Sequence, residues 1–267
     1  MKKTPILFVC AAMMLTGCSG ATATIKVKDE TIMTIGDTKY TKGDEYELLK
    51  ISTGSDLTME LVKQAIYKQE VKVTKEMKEK AQKQVNDYKE NMENFDEQIH
   101  SLGYKNSKQY MNKVLIPSLQ ASELTEKYFT DAKKDIQKTY KPSKARIIQC
   151  ENKATAKKAL KALKNGTDPE EVAQQYMVDS AKYSGKETLV TTKTTDLSTR
   201  LINTLSKTKK SGVIDEVFTN ESSGTTYAYV AVLVSNTYKD IKDDVYTALS
   251  SDDDVTKACL VYYLKKY

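Results

Sequence analysis

The sequence predicts an α+β fold in two parts. A mostly helical N-terminal domain is completed by a C-terminal helix, and a small α+β domain lies between them in the chain. Three observations carry this. Apolar residues recur at helical spacing from Leu57 to Phe129 and again from Ile241 to Leu264. The pattern breaks at Tyr140-Lys141-Pro142-Ser143, and the two clearest strand signals, Ala145–Gln149 and Tyr227–Val234, follow that break. The boundaries predicted are a leader at 1–17, a tether at 18–29, the helical domain at 30–141, the α+β domain at 142–235 and a closing helix at 236–267, which packs back on the helical domain because its apolar stripe is otherwise unburied.

The leader comes first. Lys2 and Lys3 precede the apolar run Pro5 to Leu15, a secretory-signal pattern too short to span ~30 Å of hydrocarbon as a helix. It closes in Leu15-Thr16-Gly17-Cys18, which resembles the bacterial lipobox. The resemblance implies that Cys18 becomes the lipid-modified first residue of a mature chain held at the membrane on its extracytoplasmic face, since two acyl chains suffice for stable anchoring. Residues 19–29 are small and polar and read as the tether.

Thr31–Ile35, the Gly36-Asp37 turn and Thr38–Tyr40 read as a hairpin, and Thr41 with Asp44 as a capping box opening a helix through Leu48-Leu49. Thr74 is an N-cap candidate for a long helix whose stripe runs Met77, Ala81, Val85, Tyr88, Met92, Phe95. That stripe reads as a core face, with an adaptable groove as the alternative. His100 falls in the turn before a helix from Ser107, which Pro117 must kink or break before it resumes to Phe129. After the break come the Ala145 strand, a helix over Ala154–Leu163 closed by Asn165-Gly166, and a helix opened by Asp168-Pro169. Residues 179–200 are polar and Thr-rich, and a short helix near Leu201–Leu205 precedes the Tyr227 strand.

Composition excludes several functions. With one histidine in 267 residues, no site can use two imidazoles, and no metal or cofactor is implied. There is no phosphate loop, nucleotide fingerprint, CxxC pair or nucleophile elbow. The net charge of +6 is local: residues 18–140 carry 20 lysines against 20 carboxylates, whereas 141–235 carry 15 basic against 10 acidic residues. Without interleaved aromatics this reads as a solvated surface and not as a nucleic-acid stripe. Cys150 and Cys259 sit in apolar contexts and read as free thiols, with pairing left open.

Ser143–Ile148, Ala154–Leu160, Gly166–Val178, Asp179-Ser180-Ala181-Lys182, Ser211-Gly212 and Tyr227–Val234 follow the order of a parvulin-type peptidyl-prolyl isomerase domain. Ile35–Lys42 and the Leu-rich helix after it resemble the opening of PrsA and SurA chaperone domains. With the lipobox, the chain resembles the PrsA-type foldase lipoproteins over nearly its whole mature length. The resemblance places Arg146 at the first catalytic histidine, Ala228 or Tyr229 at the second, Ser180 beside Asp179 at the Cys/Asp position, and Thr194 and Ser198 in the proline pocket. Leu189 alone keeps the pocket's apolar character, and Gly185 is what remains of a glycine pair. A contact between Arg146 and Asp179 is expected to fill the floor of that site.

The implied function is a membrane-tethered chaperone that binds unfolded or partly folded secreted polypeptides in a cleft, with no nucleic-acid partner and a homodimer as an open assembly. Two readings stand beside it: an active prolyl isomerase foldase, and a solute-binding or adhesion lipoprotein.

Overall fold

The computed structural model describes residues 27–222 and 224–267. The lipobox, Cys18 and most of the tether lie outside the described residues. The chain divides into two compact units, Met1–Val62 and Lys63–Tyr267. No described helix is long and apolar enough to cross a membrane.

In the first unit, β1 (Thr31–Ile35) and β2 (Thr38–Thr41) form an antiparallel hairpin closed by Gly36-Asp37, with Gly36 at φ +57°. Helix α1 (Lys42–Glu70) starts at once, its last turns from Lys63 belonging to the second unit. The capping box is reciprocal: Thr41 N–H donates to Asp44 Oδ2 at 2.8 Å, and Asp44 N–H to Thr41 Oγ1 at 3.2 Å. These bonds hold the Asp44 carboxyl below its ordinary value, the Thr41 backbone contributing most. The polar stretch Ser52-Thr53-Gly54-Ser55 stays within the helix, and the hydroxyls of Ser52 and Thr53 bond back to the carbonyls of Leu48 and Leu49 at 2.8 and 3.2 Å.

The second unit begins its own packing at the end of α1. Gln120, buried, donates to the Val71 carbonyl at 2.7 Å and satisfies part of the exposed helix end. Helix α2 (Lys75–Asn91) is capped by Thr74 and buries Met77, Ala81 and Val85. The predicted stripe overshoots: α2 ends at Asn91, Met92 is exposed, and Asn94 at φ +60° turns the chain so that Phe95 opens a new helix, α3 (Phe95–Ser101). His100 therefore sits on the exposed side of a helix and not in a loop. Helix α4 (Ser107–Tyr110) runs through a π-helical turn (Met111–Leu115) into α5 (Ile116–Asp131). There the Ile116 N–H reaches Met111 O, so the wider turn accommodates Pro117 without a break. Helix α6 (Lys133–Tyr140) ends at Lys141, φ +46°.

A five-stranded antiparallel sheet follows: β3 (Ser143–Cys150), β4 (Ser184–Val190), β5 (Gly212–Val213), β6 (Phe218–Ser222) and β7 (Thr225–Ser235), in the order β4-β3-β7-β5 with β6 also on β7. Three of these strands are absent from the sequence reading. β4 reads as Ser-Gly-Lys-Glu-Thr-Leu-Val and β6 as Phe-Thr-Asn-Glu-Ser, and edge strands with one wet side lack the continuous apolar run of a buried one. Helices α7 (Lys153–Lys164) and α8 (Pro169–Tyr176) cover one face, and α9 (Thr199–Lys207) the other.

The tail forms two helices, α10 (Tyr238–Leu249) and α11 (Asp253–Leu264), where a single one was expected; Asp252 caps the second. Both lie on α5. Tyr238 Oη donates to Phe129 O at 2.7 Å, and Tyr263 Oη to Asp131 Oδ2 at 3.1 Å. Glu70 receives Lys127 Nζ at 2.8 Å, Tyr267 Oη at 3.0 Å and Lys266 Nζ at 3.2 Å. Burial pushes its carboxyl up, but these donors outweigh burial and hold it below the ordinary value. Cys150 and Cys259 are free and buried, and burial raises their thiols to about 11 and about 12.

Gly185 fixes the seat of α8. Its φ is +79°, and a Cβ there would lie 2.3 Å from Pro169 O. Gly166, at φ +89°, has nothing within 4 Å of such a Cβ. Gly166→Ala is therefore expected to cost only the backbone strain, about 1–2 kcal/mol, and Gly185→Ala more than about 2 kcal/mol because strain and clash add. Urea unfolding of both variants measures the difference.

Candidate functional site

Strand alternation sorts the predicted site residues before any distance is considered. Successive side chains on β3 and β7 point to opposite faces, and directly paired residues share one. Ile147 pairs with Ala231 and Gln149 with Tyr229, so these four face α9. Arg146 pairs with Val232 and with Glu187 of β4, and Lys144 with Leu189, so these face α7 and α8. Arg146 and Tyr229 thus lie on opposite sides of the sheet, whereas Ala228, paired with Cys150, shares the Arg146 face. Asp179 and Ser180 are exposed in the turn between α8 and β4.

The expected Arg146–Asp179 contact is absent. Arg146 instead bonds Glu170 Oε1 through Nη1 and Glu187 Oε1 through Nη2, each at 3.1 Å, with Gly185 O at 3.4 Å from Nη1. The reason is the close seat of α8, which brings its first-turn Glu170 over the strand. Lys144 extends the network, 2.6 Å from Asp244 on α10 and 3.9 Å from Glu187. These are structural ion pairs on a partly wet face. Thr194 and Ser198 serve the local backbone: Thr194 Oγ1 accepts from Thr191 N–H at 3.1 Å, and Ser198 Oγ caps α9.

The face that holds Tyr229 has a different cast. Tyr183 stands edge-on to Tyr229 with ring centroids 6.2 Å apart, and the two residues are 7% and 2% exposed. Tyr183 Oη donates to Asp196 Oδ1 at 2.8 Å, and Lys182 Nζ lies 2.6 Å from Asp196 Oδ2. Asn220 Nδ2 donates to Asp196 O at 3.0 Å, and Lys182 N–H to the buried Gln149 Oε1 at 3.0 Å. Burial pushes the Asp196 carboxyl up, but Lys182 and Tyr183 outweigh it and hold it below the usual range. Burial, then Asp196, drives the Tyr183 phenol upward, and burial first also raises Tyr229. Around this group pack Ile147, Leu197, Leu201, Leu205 and Phe218. Sequence reading missed Tyr183, Asp196, Gln149 and Asn220. The β3–β7 register sorts these positions: Tyr229 shares its face with Gln149 and Ile147, and Ala228 shares its face with Cys150 and Arg146.

A separate groove of ≈ 460 Å³ lies in the helical half, with Val71, Met77 and Leu119 on its floor and Glu70, Lys80, Glu123 and Lys127 on its walls.

Comparison with solved structures decides the fold. The structure of the peptidylprolyl isomerase PrsA from Bacillus cereus matches at 21% identity and a TM-score of 0.50, over 90% of this chain and 92% of that one. This chain has the PrsA fold. Structures of foldase protein PrsA from Streptococcus pneumoniae (16% identity, 88% and 93% coverage, TM-score 0.38) and of PrsA from Bacillus subtilis (17%, 90% and 93%, 0.37) also match. No family model and no curated protein sequence matches the chain. In this instance of the PrsA fold, the sheet face behind β3 and β7 is filled by aromatic rings.

The depressed Asp196 carboxyl ties stability to pH. Its contribution is complete above the ordinary carboxylate value, ~3.9, and disappears as the pH falls through the lower folded-state value. Asp196→Asn should cost about 1–2 kcal/mol at neutral pH, and the gap to wild type should close in acid. Denaturant titrations at several pH values give the comparison.

Proposed function

We propose that this protein is a membrane-anchored, extracytoplasmic folding factor that holds unfolded secreted polypeptides without catalysing prolyl isomerisation. The observation that carries the reading is the apolar exposure of the first unit. Ile32, Met33, Ile35, Leu48, Ile51 and Leu61 each leave between 46% and 80% of their surface open. Large apolar exposure of this kind marks an interaction site, and a client presenting its own unburied apolar side chains fits it without specific geometry. The PrsA fold supports a role in protein folding, and the lipobox at Cys18 supports the anchor.

The B. cereus protein of the same fold carries the name peptidylprolyl isomerase, which favours a second reading in which this chain is one too. The chemistry opposes it. Rotation about an X–Pro amide faces a barrier of ~18–20 kcal/mol, and an enzyme lowers it by holding the ring in an open apolar pocket while preorganised polar groups favour the twisted amide. Here Tyr183 and Tyr229 fill that face, and the β3 side chain beside them is the alkyl group of Ile147. The Asp196 carboxylate is committed to Tyr183 and Lys182.

The chain from Ser19 onward should suppress aggregation of a denatured client, and Leu48→Asp with Ile51→Asp should lower that protection severalfold. A protein without any protective effect contradicts the holding role. In a proline-peptide assay, the same protein should accelerate isomerisation by less than about tenfold, or ~1.4 kcal/mol of selectivity. A larger rate restores the isomerase reading.

A further inference from the structure

Helix α7 contains five lysines and no carboxylate. Ala156, Ala159 and Leu163 seat it on the sheet against Ile148, Cys150, Ala228 and Val230, so its rotation about its own axis is fixed by a packed core. Lys153, Lys157, Lys161 and Lys164 then follow one another at steps of four, four and three along the outer face, with Lys158 beside them, and all five are exposed. Among the described residues, only Lys164 has a partner, Asp215 at 2.8 Å. Helix α2 is built the other way, pairing Lys75 with Glu79 and Lys80 with Glu76. Like charges at this spacing destabilise a helix, so the uncompensated row costs stability that interleaved signs would have supplied.

We propose that the outer face of α7 docks the α+β half of the protein on an anionic phospholipid surface. The row is made of lysines alone. Ammonium groups on flexible stems are hydrated point charges that do not fix a bidentate geometry, which suits a fluid layer of headgroups and not one ordered anionic ligand. The inference rests on the membrane tether proposed above, which would keep headgroups at high local concentration. The assay omits that tether, so the two readings fail separately.

The experiment is flotation of the chain from Ser19 onward with phosphatidylcholine vesicles, with or without phosphatidylglycerol. Binding should require phosphatidylglycerol and fall as salt rises. Replacing Lys153, Lys157 and Lys161 by Gln should weaken it about a hundredfold, at ~1 kcal/mol per lysine near the surface. Replacing the same three by Arg should preserve it, which separates charge from fold. Lys133→Gln, Lys134→Gln and Lys138→Gln on α6 remove the same charge and should have little effect. Binding that ignores phosphatidylglycerol, or that both Gln triples weaken equally, overturns the proposal. So does binding to soluble polyphosphate with none to vesicles. Absence of vesicle binding in every form also overturns it, and leaves the aggregation assay untouched.

Discussion

The α+β half of this protein depends on one constraint, the period-two alternation of side chains along β3 and β7. Both strands are central, and both faces of each are covered. A single residue step therefore separates two environments that share no side chain. One face packs Ile148, Cys150, Ala228 and Val230 under α7 and α8 and carries a charged margin, where Arg146 bridges Glu170 and Glu187 and Lys144 reaches Asp244. The other is an aromatic core in which Tyr183, Tyr229 and Phe218 meet the apolar side of α9. Gly185 makes the first arrangement possible by letting β4 approach the start of α8, and that approach places Glu170 over Arg146.

The same constraint separates fold from chemistry. A PrsA fold supplies a sheet face on which a small concave site can be built, but the fold does not itself bring reactive groups to that face. Here the polar groups that reach it are phenols and an amide, and the one carboxylate, Asp196, pairs with Lys182 and accepts a hydrogen bond from Tyr183. Such an arrangement contributes packing and hydrogen bonds. Among the surfaces open on the described residues are the apolar patch of the first unit and the lysine row of α7. Both suit binding more than turnover.

The sequence made the helix ends legible where local chemistry dictates them. The capping boxes and N-caps at Thr41, Thr74 and Asp168 stand where their residue types predict, and Gly166 closes α7. Pro117 implies a kink or a break, and the π-helical turn before it shows how backbone can absorb a proline by widening. Three features were not legible. The stop at Asn91 depends on Asn94 adopting a left-handed conformation, which a continuous apolar stripe conceals. β4 and β6 gain their strand character from pairing with β3 and β7, not from their own polar sequences. Which of Ala228 and Tyr229 shares a face with Arg146 depends on the β3–β7 register, which linear matching of a motif does not carry. Tyr183 and Asp196 are thirteen residues apart in a polar stretch, and only the fold brings them to 2.8 Å.

The central claim is that client chains are held on the apolar surface of the first unit and not on the sheet face that carries Tyr183 and Tyr229. Amide chemical shifts of the labelled protein, followed as an unfolded proline-containing polypeptide is added, test this most directly. The account predicts perturbations confined to residues 31–62, with the amides of Ile147, Gln149, Tyr183 and Tyr229 unchanged. Proline-dependent shifts centred on those four residues would contradict it.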